Sequence, residues 1–174
     1  MKDKDRICEM LSAALAMEDK GRAFYEQSAK KCELPECKRI FKQLAEDETL
    51  HQKRIQKLYD ALAAGEHWCD WAEEGKTDPG VQGVMTEAAK KYGKEITPAT
   101  TDVQALFVAV GLEADAIKYY SRMRDHTHFR LEKQFLANLI QEEIVHYRTL
   151  MDMKFYLENP AGWFRERERH MMDG

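Results

Sequence analysis

Four long segments of the chain repeat apolar residues at alternating three- and four-residue steps, the spacing of one face of a packed helix. The first runs from about residue 4 to 31, along Ile7, Leu11, Ala14, Glu18, Gly21, Tyr25 and Ser28. The second spans about 35–63, opening on Pro35, a residue favoured in the first helical turn, and follows Cys37, Phe41, Leu44, Glu48, His51, Ile55, Leu58 and Leu62. The third covers about 102–126, with Thr101 or Asp102 placed to cap it, and follows Leu106, Ala109, Glu113, Ala116, Tyr120 and Met123. The fourth covers about 129–158, along Leu136, Leu139, Glu143, His146, Leu150, Met153 and Leu157, and stops before Pro160.

Short turns separate the first helix from the second and the third from the fourth, which predicts two antiparallel helical hairpins. Between the hairpins, residues 64–101 form a connection long enough to run the length of a bundle. After Pro160, residues 160–172 read as a short docking segment with Trp163 and Phe164 as an aromatic anchor. The expectation is an all-α chain forming one domain over 1–174: a four-helix bundle of two hairpins joined by a long crossover, with a short C-terminal helical segment.

Composition narrows the class without changing this picture. At 174 residues, with 33% charged and 44% hydrophobic residues and only four prolines, the chain suits amphipathic helices in a single domain. A net charge of −4 with no long run of one sign argues against a nucleic-acid partner. No apolar run approaches the roughly 20 residues of a membrane span, and the charged start "MKDKDRICEM" is unlike a signal peptide. A cytoplasmic protein is expected. Cys8, Cys32, Cys37 and Cys69 form no C-x-x-C pair and read as ordinary thiols in a reducing compartment.

The exceptions in the apolar seams carry the chemistry. Glu48 with His51, and Glu143 with His146, occupy positions where a packed helix carries leucine. Adding 95 to a residue number carries Glu18 onto Glu113, Tyr25 onto Tyr120, Glu48 onto Glu143 and His51 onto His146. Leu11, Ala14 and Leu44 land on Leu106, Ala109 and Leu139. One hairpin is therefore used twice, and two copies packed antiparallel are related by a pseudo-twofold axis.

Residues three apart on a helix share a face. Each Glu-x-x-His pair therefore points into the bundle, and Glu18 and Glu113 meet them from the partner helices. Four buried carboxylates cannot all stay ionised unless something positive sits among them, and the seams offer no lysine or arginine. Two divalent cations balance four carboxylates. Carboxylate oxygen with imidazole nitrogen suits iron or manganese better than thiophilic metals. A single Glu-x-x-His is a weak signal, but Glu18, Glu48, His51, Glu113, Glu143 and His146 fall on four separate seams in repeat register. That set is the expected ligand shell of a two-metal carboxylate centre in a helix bundle. Tyr25 and Tyr120 lie two turns beyond Glu18 and Glu113, placed to orient a ligand carboxylate or relay a proton or electron. Asp47 and Glu142 precede the shared glutamates in both hairpins and have two readings, a role in orienting the histidines or, the preferred one, exposed helix acids. His67, His126, His128 and His170, which have no repeat partners, read as surface residues.

On these residues the chain resembles the rubrerythrin branch of the ferritin-like superfamily. The resemblance runs through Glu18, Glu48-x-x-His51, the long crossover, Glu113 and Glu143-x-x-His146, and on to the closing "ENPAGWF". It implies a centre of two iron ions, with manganese or zinc as substitutes, usually in a homodimer. The activity it implies is reduction of hydrogen peroxide or dioxygen by an oxidoreductase, with Tyr25 and Tyr120 as candidate catalytic groups. The alternative is an iron-binding, ferroxidase-type protein without reductive turnover. The chain departs from rubrerythrins at two points. It carries no paired C-x-x-C rubredoxin module, so electrons must come from an external donor such as a rubredoxin-like protein. Where rubrerythrins carry an extra glutamate one turn after the third-helix ligand, this chain has Ala116.

Overall fold

The computed structural model describes residues 2–64 and 100–172. Five helices account for nearly all of them: α1 (Lys2–Lys31), α2 (Pro35–Ala63), α3 (Thr100–His126), α4 (Arg130–Glu158) and α5 (Pro160–Met172). No helix among them is long and apolar enough to cross a membrane. Residues 65–99 of the expected crossover, with His67, Trp68, Cys69 and Trp71, lie outside the described residues, as does the side chain of His170.

The helices form where the seams place them, and three-residue turns close each hairpin. Pro35 sits in the first turn of α2 as expected. Asp102 does something else. It stands inside the first turn of α3 and is fully buried, and its two carboxylate oxygens accept the backbone N–H groups of Glu33 and Leu34, each at 2.9 Å. It therefore satisfies the orphan donors of the α1–α2 turn, where no side chain of that turn caps α2. At the opposite end, Glu132 is completely buried and receives the Thr127 hydroxyl at 2.6 Å and the Arg6 guanidinium at 3.0 Å. The Tyr119 hydroxyl donates to the Met10 carbonyl at 3.1 Å. These contacts place the start of α3 against the end of α1 and the end of α3 against its start, so the two helices run antiparallel.

Two apolar clusters fill the bundle. One gathers Tyr25, Phe41, Leu44, Leu106, Leu150 and Met153 with neighbours toward the α1–α2 turn. The other gathers Leu11, Ile55, Leu58, Tyr120, Leu136 and Leu139 with neighbours toward the α3–α4 turn. Both hold residues with almost no exposed surface, so each clamps one side of the layer between them.

Beyond α4, the Asn159 side chain accepts the Gly162 N–H at 3.0 Å, an N-cap for α5. Trp163 is buried against Tyr156, ring centroids 5.1 Å apart, and its Nε1–H donates to Asp152 at 2.6 Å. Arg167 pairs with the other Asp152 oxygen at 2.8 Å and lies 4.1 Å above the Trp163 ring. Trp163 thus anchors α5 to its own chain.

Candidate metal centre

Between the two apolar clusters lies a layer of buried charge. Glu18 comes from α1, Glu48 and His51 from α2, Glu113 from α3, Glu143 and His146 from α4. The structure brings all six together. Their ligand-type atoms fall into two groups of four: Glu18, Glu48, His51 and Glu143, and Glu48, Glu113, Glu143 and His146. Within each group these atoms lie within 4.8 Å of one another. Glu48 and Glu143 belong to both groups, and Glu143 turns Oε1 to His51 and Oε2 to His146. Every group offers three carboxylates and one imidazole.

The imidazoles are oriented alike. His51 Nδ1 lies 3.0 Å from Glu18, 3.2 Å from Glu143 and 3.4 Å from Glu48, while Nε2 faces outward to Glu142 at 3.0 Å. His146 Nδ1 lies 3.3 Å from Glu143 and 3.7 Å from Glu113, while Nε2 faces Asp47 at 3.4 Å. The two rings stack with centroids 5.6 Å apart. With Nε2 turned to an outer carboxylate, Nδ1 faces the cluster, the orientation a metal ligand needs.

Asp47 and Glu142 correct the expectation of exposed helix acids. Both are buried, at 8% and 5% exposure. They act crosswise: the acid of α2 faces the histidine of α4, and the acid of α4 faces the histidine of α2. Glu142 is also held by Arg54 at 2.9 Å and Asp47 by Gln43 at 3.1 Å. A sequence signal existed, since Asp47 and Glu142 are themselves 95 residues apart.

The electrostatics describe a site built for a cation. Burial and the neighbouring carboxylates push Glu48 and Glu113 well above the usual carboxylate range. Burial also opposes ionisation of Glu143, but the His51 and His146 imidazoles outweigh it and hold that carboxyl well below the usual range. Burial disfavours charge on His51 and His146 too, yet the surrounding carboxylates raise both well above an ordinary imidazole. One observation tests the fit to a metal directly. Glu48 Oε2, both oxygens of Glu143 and His146 Nδ1 are buried and make no hydrogen bond, their close contacts lacking the required geometry. Leaving such groups unmatched is costly, and a cation among them removes the cost. Oxygen-rich ligands with one nitrogen per group fit iron or manganese.

Tyr25 and Tyr120 reach this layer from opposite apolar clusters, each crossing to the other hairpin. The Tyr25 hydroxyl donates to Glu113, and the Tyr120 hydroxyl donates to Glu18. Burial, reinforced by those carboxylates, pushes both phenols well above their ordinary range, so they stay protonated donors. His126 and His128 are exposed, as the missing repeat partners imply.

A cavity of about 360 Å³ opens onto the centre between α1 and α3. Glu18, Glu48, Glu113 and Glu143 form its floor, and neither histidine lines it. The histidines therefore stand on the far side of the carboxylates from the opening.

Cys32 and Cys37 are free buried thiols whose sulfurs lie within 4.8 Å of a carboxylate oxygen of Asp102. Cys32 beside it, together with burial, pushes the Cys37 thiol up, the reverse of an activated cysteine.

Searches of curated proteins and of solved structures return no match for the chain. The Rubrerythrin family model, however, matches residues 9–154, a span that holds every ligand-type residue of the centre and both tyrosines. With the repeated Glu-x-x-His hairpins closing on one buried carboxylate layer, this match shows that the chain belongs to the rubrerythrin family.

Proposed function

We propose that this chain is a di-iron oxidoreductase that reduces peroxide, with electrons from an external rubredoxin-like donor. Glu18, Glu48, His51, Glu113, Glu143 and His146 would hold the metals, Glu48 and Glu143 being common to both four-residue groups. The observation that carries this reading is the pair of four-residue groups sharing two carboxylates, reached by a cavity from the α1–α3 side. A pair of ferrous ions held there would supply the two electrons that an O–O bond takes up when it breaks. Overall, H2O2 with two electrons and two protons gives two waters.

The chain's own residues do the rest. Glu142 and Asp47 hold the imidazoles by Nε2. The Tyr25 hydroxyl holds Glu113 and the Tyr120 hydroxyl holds Glu18, each at Oε1, which leaves Glu18 Oε2 beside His51 Nδ1 at 3.0 Å. Tyr25 also lines the cavity, so its hydroxyl is the nearer proton source for a bound peroxide. Met17, Leu112 and Tyr119 line the approach, which suits a neutral oxidant better than a hydrated ferrous ion. This favours peroxide reduction over a ferroxidase role.

Stopped-flow mixing of the anaerobic ferrous protein with peroxide and, separately, with dioxygen tests the proposal. Faster oxidation by peroxide, with repeated turnover once a rubredoxin-like donor is added, is expected. Faster oxidation by dioxygen with no turnover in the presence of the donor overturns it in favour of a ferroxidase.

A further inference from the structure

The cavity over the centre is large for hydrogen peroxide. A water occupies about 30 Å³ of liquid and hydrogen peroxide on the order of twice that, whereas the cavity holds about 360 Å³. Sites for small organic molecules begin at roughly 300 Å³.

The lining follows the same internal repeat as the ligands. Met17 and Leu112, Lys20 and Asp115, and Gly21 and Ala116 all line the cavity, each pair 95 residues apart. The cavity therefore straddles the pseudo-twofold relation between the hairpins. Its three levels differ in chemistry. Carboxylates make the floor. Met17, Leu112, Ala116 and Tyr119, all half-buried, make the apolar wall. Exposed Lys20 and Asp115 lie among the lining residues at the rim.

Space above the floor exists because the residues one turn beyond Glu18 and Glu113 are small. A Cβ built on Gly21 would sit 3.5 Å from Glu48 Oε1 and 3.8 Å from the Tyr25 ring, so a larger side chain there would enter the cavity. A peroxide needs no apolar wall. A molecule with a reactive O–O end and a hydrocarbon end matches both the floor and the wall.

We propose that this cavity binds organic hydroperoxides, with the peroxide oxygens toward the carboxylate floor and a small hydrocarbon group against Met17, Leu112, Ala116 and Tyr119. The inference rests on the peroxide-reducing function proposed above and names its substrate class. In the reaction the O–O bond of ROOH breaks. Two electrons come from the external donor and two protons from solvent. One oxygen leaves as the alcohol ROH and the other as water.

The test uses the iron-loaded protein with cumene hydroperoxide, hydrogen peroxide and the product, cumyl alcohol. The ferrous protein should react with cumene hydroperoxide at least as fast as with hydrogen peroxide, and calorimetry should detect cumyl alcohol binding to the oxidised protein. Ala116→Leu fills the wall and should lower the ratio of the two rate constants by about tenfold or more, the scale of a misfitted apolar group. It should weaken alcohol binding to a similar degree. If Ala116→Leu fails to fold, Leu112→Trp narrows the cavity from its half-buried wall and reads the same two quantities. A ratio unchanged by the filling variant, or no alcohol binding alongside a fast reaction with hydrogen peroxide, overturns the substrate class and leaves the peroxidase reading standing. Alcohol binding without reaction toward either peroxide overturns the peroxidase reading instead, and with it the turnover claimed here.

Discussion

Glu142 of α4 lies 3.0 Å from Nε2 of His51 on α2 and is held there by Arg54 at 2.9 Å. Its repeat counterpart, Asp47, stands 3.4 Å from His146 in the reverse direction. Each hairpin therefore orients the other's imidazole, and the two halves of the centre are assembled only when the hairpins pack together.

Breaking that relationship should weaken metal binding without emptying the ligand set. Glu142→Gln keeps the shape and removes the charge that holds His51, so affinity should fall by about 10- to 100-fold. Competition with a calibrated chelator measures it. Asp47→Asn should act in the same direction on the His146 side. Unchanged affinity in both variants would show that the outer acids do not orient the imidazoles.

Two four-residue groups that share Glu48 and Glu143 set the expected stoichiometry. Four carboxylates require two divalent cations, so elemental analysis of protein from iron-supplied cells should give two irons per chain. Glu48→Ala removes a residue common to both groups of four and should lower occupancy of both sites. Glu18→Ala removes a residue of one group and should cost one metal first. A chain that holds a single zinc through its cysteines would sink this account.

Metal removal should invert the pH dependence of stability. Glu48 and Glu113 are raised in the folded chain by burial and by neighbouring carboxylates. Their contribution is present below the unfolded carboxyl value of about 4.3 and lost as pH rises through the folded values. His51 and His146, raised by the carboxylates against the effect of burial, behave alike from about 6.5 upward. Glu142 and Glu143 are lowered, so their contribution is present above about 4.3 and lost only on stronger acidification. The metal-free protein should therefore melt higher near pH 5 to 6 than at pH 8. The loaded protein should weaken on acidification, as protons compete with the metal. Equal melting of the two forms at pH 7 would place the ligands elsewhere.

Removing a tyrosine hydroxyl strands a buried carboxylate oxygen. Tyr25→Phe and Tyr120→Phe should each cost about 1–3 kcal/mol of stability in the loaded protein, measured by denaturant unfolding. Of these two, Tyr25 lines the cavity and Tyr120 does not, so Tyr25→Phe should slow oxidation by peroxide more than Tyr120→Phe does. Equal kinetic effects would remove Tyr25 from any proton-supplying role.

Much of this was legible in the chain because it is local. Helical spacing says which residues share a face, and a charge at a core position stands out against that spacing. The four long helices, the 95-residue repeat and the convergence of Glu18, Glu48, His51, Glu113, Glu143 and His146 all follow from it. Asp47 and Glu142 did not, since a residue next to an inward glutamate sits about 100° around the helix, at the edge of the seam. Whether that edge is exposed depends on how closely the facing helix approaches.

The same division separates the remaining features. The sequence by itself determined the helices, their buried faces and the identity of the charged layer, because periodicity and the cost of unmatched buried charge need no knowledge of partners. Only the tertiary structure decided that Asp102 serves the α1–α2 turn instead of its own helix, and that Trp163 packs on Tyr156. It also decided that Gly21 and Ala116 leave a cavity on the side of the carboxylates away from the histidines. Those outcomes depend on which surfaces of distant segments meet, and at what separation. That is set by the packing of whole helices against one another, which spacing along one helix does not encode.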